Sequence, residues 1–246
     1  MRHHEIDQYA KQSTLYPFDP RVKLVSTILL IVAIALMREF TPLLLIMIFL
    51  LALIGISRVP FRHIGKSFIL AIPFIVFASL ALMYSSGYFA GLLMAMRISD
   101  SVLALLVLVS TTPFFEFLKA LEWFKCPRIF SVLLLFTYRF IFILIDEMDR
   151  MRMSRKARGF TGGRNIFDKV AMRTIGYTAG MIFVRSYKRA GNIYNALLSR
   201  GYTGDIKTLQ IPRTHSRDAV FASAFILVVA ITLCLQNGVI VWKLFI

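Results

Sequence analysis

Long apolar runs are the feature of this sequence that most restricts its fold. Charged residues make up only 17% of the 246 residues, whereas a soluble domain carries about 25%. Five runs approach the roughly 20 apolar residues that cross a bilayer: Val22–Met37, Pro42–Ser57, Phe68–Tyr84, Tyr88–Thr112 and Ala219–Gln236. The sequence therefore predicts an all-α integral membrane protein with about five transmembrane helices.

A sixth apolar run, Ile129–Ile145, is ambiguous because it contains Arg139 and continues without a helix breaker into a charged stretch. The loop with Arg58, Arg62 and Lys66 is basic, and the next loop carries no charge. By the positive-inside rule, the N-terminus and the end of the fourth helix are then cytoplasmic. The basic segment after the sixth run should also be cytoplasmic. We therefore expect the sixth run to lie along the inner face without crossing.

The positive charge of the chain is concentrated in one segment. Fifteen Lys and Arg residues and two acids lie between Arg150 and Arg217, so this segment carries +13 of the net charge of +16. Such a block marks the cytoplasmic side of a membrane protein, contacts anionic lipid, or binds an acidic partner.

The basic segment and its flanks predict amphipathic helices. Their expected ranges are Pro113–Lys125 (capped by Thr111 or Thr112), Arg128–Arg158, and Asp168–Arg200 with Asp168 as N-cap. Ion pairs at helical spacing are expected for Asp146–Arg150, Glu147–Arg150 and Asp149–Arg152, and in the fourth membrane helix for Arg97–Asp100. The last helix should carry an apolar stripe of Ile175, Ala179, Ile182, Ile193 and Leu197.

One short pattern occurs twice in the basic segment, as ARGFTGG at residues 157–163 and SRGYTGD at residues 199–205. Glycine suits the left-handed position just past a helix end, and a basic residue there favours the negative end of the helix dipole. One copy would predict an ordinary helix stop. Two copies predict two rigid helix tips, each presenting a guanidinium to a carboxylate socket of a partner.

A small residue followed by Arg and Gly, repeated at two cytoplasmic helix ends after four membrane helices, resembles the transmembrane T component of energy-coupling factor (ECF) transporters. The stretches HHEIDQYA, TTPFFEFLKALEWFKCP and RSYKRAGNIYNALLSRGYTGD are most similar to the cobalt and nickel branch, the CbiQ type. The first signature matches fully, and the second departs by one residue. The residues concerned are Ala157, Arg158, Gly159, Ser199, Arg200 and Gly201.

The resemblance implies a non-catalytic subunit in the cell membrane of a prokaryote. Its two Arg-bearing helices would couple to two ABC-type ATPase subunits, and a separate membrane S component would bind the substrate. It implies no cofactor, no nucleic-acid partner and no metal ligand in this chain. The expected division is a membrane domain at 1–112, a cytoplasmic coupling domain at 113–217 and a last transmembrane helix at 218–246.

The sequence also lacks the elements that other functions require. It has no phosphate-binding G-x-x-x-x-G-K-[ST] and no H-E-x-x-H. Its histidines are scattered and its two cysteines lie far apart without metal-ligand spacing, so we interpret these as surface or packing residues: His3, His4, His63, His215, Cys126 and Cys234.

Three alternatives remain open from the sequence. An ECF T component could serve a vitamin or another micronutrient. A stand-alone secondary transporter would need ionisable residues near mid-membrane, and only Arg97 and Asp100 lie inside a clear span. A membrane enzyme would need clustered acids, and the cluster of Asp146, Glu147 and Asp149 already has basic partners at helical spacing.

Overall fold

A computed structural model of the chain describes residues 13–57, 59–124, 127–159, 169–202 and 216–244. Within these ranges the regular structure is eight α-helices: α1 (Pro20–Leu36), α2 (Phe40–Ser57), α3 (Phe61–Ser86), α4 (Tyr88–Thr111), α5 (Phe114–Trp123), α6 (Arg128–Ala157), α7 (Lys169–Leu198) and α8 (Ser216–Leu244). The prediction of an all-α protein is confirmed. The helices form two compact units, α1 to α5 with α8, and α6 with α7.

The first unit is built around an apolar core that α1, α2, α4 and α8 share. Leu30, Ile34, Leu43 and Ile46 are completely buried there, and Phe225 of α8 packs edge-on against Phe49 of α2. The outward side chains of the same helices are also apolar, as expected where lipid is the surrounding solvent. The unit therefore buries one apolar face and presents another to the bilayer.

All five predicted spans are helices in the structure. Five described segments are long and apolar enough to cross a membrane: Phe40–Ser57, Ile64–Ser86, Tyr88–Thr111, Ile129–Ala157 and Arg217–Gln236. Helix α1 has 17 residues, the lower end of the range of about 17–25 that spans a bilayer. Because Ile129–Ala157 also meets the criterion of length and composition, the non-crossing position of the sixth run stays a prediction.

Helices α3 and α4 form a tight antiparallel hairpin. Gly87 joins them with a φ of 94°, a conformation that residues with a Cβ rarely adopt. Four residues on, a Cβ added to Gly91 would lie 2.8 Å from both the Cβ of Met83 and the carbonyl oxygen of Ser79. Glycine at this position therefore lets the two backbones approach closely, as small residues do in membrane interfaces.

The predicted Arg97–Asp100 pair is wrong. Arg97 donates to the backbone carbonyl oxygen of Met37, at the end of α1. Asp100 is completely buried, and neither of its carboxyl oxygens has a hydrogen-bond partner among the described residues. The spacing of three residues allows Arg97 and Asp100 to pair, but the guanidinium of Arg97 bonds instead to the carbonyl oxygen at the end of α1.

The predicted side-chain cap of α5 is also wrong. The hydroxyl of Thr111 donates back to the carbonyl oxygen of Val107 in α4, and no described group bonds the hydroxyl of Thr112. Instead the carbonyl oxygen of Pro113 accepts from the backbone N–H groups at the start of α5. Because the hydroxyl of Thr111 is bonded within α4, it does not cap α5.

Buried polar side chains join the ends of α1, α4 and α8. Asp19 caps α1, and its own backbone N–H donates to a carboxyl oxygen of Asp218 in α8 at 2.8 Å. Lys23 is 2% exposed, and its ammonium donates to the carbonyl oxygen of Thr111 at 3.2 Å. These contacts span 199 and 88 residues of sequence, and spacing gave no indication of them.

In the second unit, α6 and α7 run antiparallel. Arg155 of α6 donates to the hydroxyl of Thr178 in α7, and Glu147 of α6 pairs with Arg185 of α7. Moving forward along α6 thus corresponds to moving backward along α7. The observed helices agree with the predicted ranges, whereas the proposed N-cap Asp168 lies outside the described residues.

Two of the three ion pairs predicted on α6 are confirmed. Glu147 contacts Arg150 at 3.1 Å, and Asp149 contacts Arg152 at 3.8 Å. A pair between Asp146 and Arg150 is not among those that the described residues form, because Arg150 turns to Glu147. Ion pairs at this helical spacing contribute little stability, at about 0.2–0.5 kcal/mol each.

Candidate functional site

Helix α6 ends at the first repeated signature. Arg158 is the C-cap, and its backbone N–H bonds to carbonyl oxygens of the last turn. Gly159 follows with a φ of 80°, and its N–H donates to the carbonyl oxygen of Lys156 at 3.0 Å. The predicted left-handed helix stop is therefore formed, with Arg158 as the capping residue directly after Ala157.

Helix α7 ends in the same way at the second signature. Gly201 has a φ of 76°, and its N–H donates to the carbonyl oxygen of Leu198 at 2.9 Å. The N–H of Tyr202 reaches back to the carbonyl oxygen of Leu197 at 3.0 Å. These two bonds are those of a Schellman motif, with glycine at its left-handed position. Arg200 thus occupies the same place on α7 as Arg158 does on α6.

Ser199, where the resemblance leads one to expect alanine, fits this helix end without distortion. Its hydroxyl donates to the carbonyl oxygen of Asn195 one turn earlier, at 2.9 Å. The hydroxyl therefore meets its hydrogen-bonding need within the helix. The guanidinium of the following Arg200 keeps an exposed position.

The antiparallel pairing sets the spacing of the two tips. Arg158 lies eleven residues beyond Glu147 on α6, and Arg200 lies fifteen residues beyond Arg185 on α7. At about 1.5 Å per residue, the tips extend about 16 Å and 22 Å in opposite directions from the Glu147–Arg185 contact. Both arginines are exposed. The structure therefore does not bring the two signatures together.

The basic groove that lies between α6 and α7 was not predicted from the sequence, although all the arginines that line it belong to the basic segment Arg150–Arg217. The groove has a volume of about 770 Å³. Its charged lining consists of Glu147, Arg150, Arg155, Arg158, Arg185 and Arg189. Five guanidinium groups and one carboxylate give it a positive potential that favours acidic partners. Arg158 belongs to this groove, whereas Arg200 does not line it.

The predicted apolar stripe of α7 is partly wrong. Ile182, Ile193 and Leu197 are half-buried, as expected, but Ile175 and Ala179 are exposed. The face toward α6 begins instead with two threonines, one of which bonds Arg155. No residue of the described helix is fully buried. Large side chains such as Phe183 and Tyr187, at 71% and 79% exposure, leave an apolar surface open on α7.

Of the four histidines, His3, His4 and His215 lie outside the described residues, and the side chain of His63 is among those not described. Within the described part of the chain, no three His, Cys, Asp or Glu side chains are grouped to hold a metal ion. Cys234 is a free, exposed thiol on α8, and Cys126 lies outside the described ranges.

Membrane-length helices, together with two helices that each end in an exposed arginine and a left-handed glycine, define a class of protein: a helical membrane protein with a basic helix pair. Comparison with known proteins agrees with that class. The family model described as CbiQ, cobalt transport protein, matches residues 11–211. The chain belongs to this family.

Several relatives are similar over most of their length. An uncharacterised protein of Methanocaldococcus jannaschii is 26% identical over 85% of both chains. The energy-coupling factor transporter transmembrane protein EcfT of Bacillus selenitireducens is 28% identical over 92% of this chain and 94% of its own. EcfT of Limosilactobacillus fermentum is 28% identical over 89% and 91%. The resemblance to the T component of ECF transporters is thus confirmed.

Proposed function

We propose that this protein is the non-catalytic coupling subunit of an ECF-type importer. It relays the motion of two cytoplasmic ABC-type ATPase subunits to a separate S component that binds the substrate in the membrane. Helices α6 and α7 form the lever, and their tips at Arg158 and Arg200 dock into the two ATPases.

The observation that carries this proposal is the repetition of one structure at two places. Both helices end in a left-handed glycine directly after an exposed arginine. A single helix end with a left-handed glycine is common in proteins, but two with the same charged residue, at opposite ends of an antiparallel pair, match two similar sockets. A guanidinium keeps its charge and binds a carboxylate through two parallel hydrogen bonds.

The exposed surface of the lever supports further contacts. The groove between α6 and α7 is strongly basic, and α7 carries exposed Phe183 and Tyr187. Large exposed apolar surfaces rimmed by charge mark interaction sites. We assign the apolar surface of α7 to the S component and the basic groove to acidic segments of the ATPases.

The cargo we propose is cobalt or nickel ion, which would connect the protein to cobalamin biosynthesis. The family description, cobalt transport protein, supports this assignment. The relatives named EcfT have names that specify no transported substrate, so a vitamin or another micronutrient is the second candidate. A metal cargo would be bound by the S component.

Gentle purification tests the proposed assembly. The tagged chain, extracted in mild detergent from its native host, should carry two ATPase subunits per copy and one small membrane protein. Radioactive cobalt and nickel uptake into liposomes containing this complex should then require ATP. Liposomes with the chain alone should show no uptake. ATP-independent uptake by the chain alone would instead identify a secondary transporter.

A topology experiment tests the cytoplasmic placement of the lever. In a variant without native cysteines, single cysteines at Ile129 and Lys156, both exposed, mark the two ends of α6. We expect an impermeant thiol reagent to label both only after the cytoplasmic side is opened. A cysteine at Tyr88, exposed at the start of α4, should react from outside as a control. Labelling of Ile129→Cys from the outside would mean that α6 crosses the membrane.

A further inference from the structure

An apolar groove on the first unit has a polar end whose hydrogen-bonding groups are unsatisfied. The groove lies between α1, α5 and α8 and has a volume of about 310 Å³. Its apolar wall consists of Val22, Val25, Leu29, Trp123, Ala222, Phe225 and Ile226. This volume is at the lower end of the about 300–1,000 Å³ of small-molecule sites.

Two polar groups at the start of α1 lack partners. Asp19 is only 5% exposed, and its Oδ1 accepts from the backbone N–H of Arg21. The Oδ2 of Asp19 and the Nε of Arg21 are both buried, and neither has a hydrogen-bond partner among the described residues. The neighbouring ammonium of Lys23 donates instead to the carbonyl oxygen of Thr111. An unsatisfied buried group is costly, so a ligand that satisfies both groups would be stabilised.

The two unsatisfied groups require opposite hydrogen-bonding partners. The carboxylate oxygen of Asp19 needs a donor, and the guanidinium of Arg21 needs an acceptor. The guanidinium is held over the ring of Trp123, 5.9 Å from its centroid. Both residues line the same groove, two positions apart in sequence. The matching ligand therefore carries an ammonium group and an anionic oxygen close together.

The length and apolar lining of the groove indicate that the ligand also carries an acyl chain. Val22, Val25 and Leu29 lie on one face of α1 and cover about 10 Å of its length, roughly a third of the hydrocarbon core of a bilayer. Val25 and Leu29 are 40% and 38% exposed, and Ile226 opposite them is 58% exposed. Trp123 at the polar end is the residue type that marks the membrane–water interface. A lipid tail could thus enter the groove from the bilayer.

We propose that this groove is a specific binding site for a phospholipid with a primary ammonium headgroup, of the phosphatidylethanolamine type. The ammonium donates to Asp19, the phosphate accepts from Arg21, and one acyl chain lies along α1 and α8. The lipid would link α1, α5 and α8 at the buried contact between Asp19 and Asp218.

Retention of lipids in nanodiscs tests this site. The purified protein is exchanged between nanodiscs of phosphatidylethanolamine, phosphatidylcholine and phosphatidylglycerol, then released and analysed by native mass spectrometry. Phosphatidylcholine is the matched control, because its three N-methyl groups remove every N–H donor and leave the phosphate unchanged. We expect about tenfold preference for phosphatidylethanolamine over phosphatidylcholine, the ratio typical of one charge-assisted hydrogen bond.

Variants assign this preference to named groups. Asp19→Asn keeps a side-chain oxygen that caps α1 but removes the charge, so the preference should fall to about twofold or less while total retention persists. Arg21→Gln should lower the retention of all three lipids. Arg217→Gln, which removes an exposed charge outside the groove, should change neither. Val25→Trp should fill the groove and displace every lipid without touching the polar groups.

Equal retention of the ethanolamine and choline lipids by the unmodified protein would overturn the proposal. So would a preference that survives in Asp19→Asn or in Val25→Trp. A second copy of the chain or another membrane subunit in the groove, detected by cross-linking from Val25→Cys in place of lipid, would also overturn it. Thermal unfolding of each variant in the same detergent separates loss of the site from loss of the fold.

Discussion

Reversing the charge of both helix tips, by Arg158→Glu together with Arg200→Glu, should abolish co-purification of the ATPase subunits. Each guanidinium would be replaced by a carboxylate that faces an acidic socket. Removal of one partner from a buried charge pair costs about 2–5 kcal/mol, and reversal should cost at least that at each tip. The variant should still insert in the membrane, because both arginines are exposed and hold no described helix in place.

The spacing of the tips gives this experiment a graded form. Because Arg158 and Arg200 extend in opposite directions from the Glu147–Arg185 contact, each single reversal should leave one socket occupied and weaken assembly without abolishing it. Arg152→Glu with Lys188→Glu places the same negative charges on the same two helices, at exposed positions six residues before Arg158 and twelve before Arg200, and should leave ATPase yield near normal. Normal ATPase yield with the double tip reversal would refute the docking of these tips.

Replacing Gly201 by valine should uncouple ATP hydrolysis from uptake while the complex still forms. Gly201 has a φ of 76°, and nothing lies within 4 Å of a Cβ added there. The cost is therefore purely conformational, about 1–2 kcal/mol, and greatest for a β-branched residue. The helix end would change direction and turn Arg200 from its socket, yet its charge would still attract the partner.

Uptake and ATPase rate measured on the same reconstituted complex decide this prediction. Uptake per ATP hydrolysed should fall by about fivefold to thirtyfold if the lost helix-end geometry costs the 1–2 kcal/mol of the left-handed conformation. Gly191→Val is the matched control, because Gly191 lies inside α7, has no positive φ and also faces open space. Unchanged coupling in Gly201→Val would reduce Gly201 to an ordinary helix cap.

Part of this protein follows directly from its sequence. The apolar runs fixed the positions of the membrane-length helices, because a helix satisfies its own backbone within the bilayer. The two helix ends were also predictable, since a left-handed glycine after a C-cap depends on a few neighbouring residues. The ion pairs Glu147–Arg150 and Asp149–Arg152 follow for the same reason, being three residues apart on one helix.

Tertiary structure alone decided the partners of the polar groups in the first unit. Arg97 could have paired with Asp100 by spacing, but the end of α1 lies within its reach and offers the carbonyl oxygen of Met37. Asp19 meets Asp218 across 199 residues. A spacing rule describes one helix and contains nothing about which other helix packs against it.

The same limit applies to the two helix tips. The sequence identified Arg158 and Arg200 as an equivalent pair and predicted a socket for each, but it did not give the distance between the two tips. Their separation follows from the antiparallel packing of α6 and α7, fixed by Arg155 with Thr178 and by Glu147 with Arg185. The sequence therefore determined that each helix ends in an arginine and a glycine, because a helix end is set by neighbouring residues. Tertiary structure determined how far apart the two arginines lie, because helix pairing depends on contacts between residues distant in sequence.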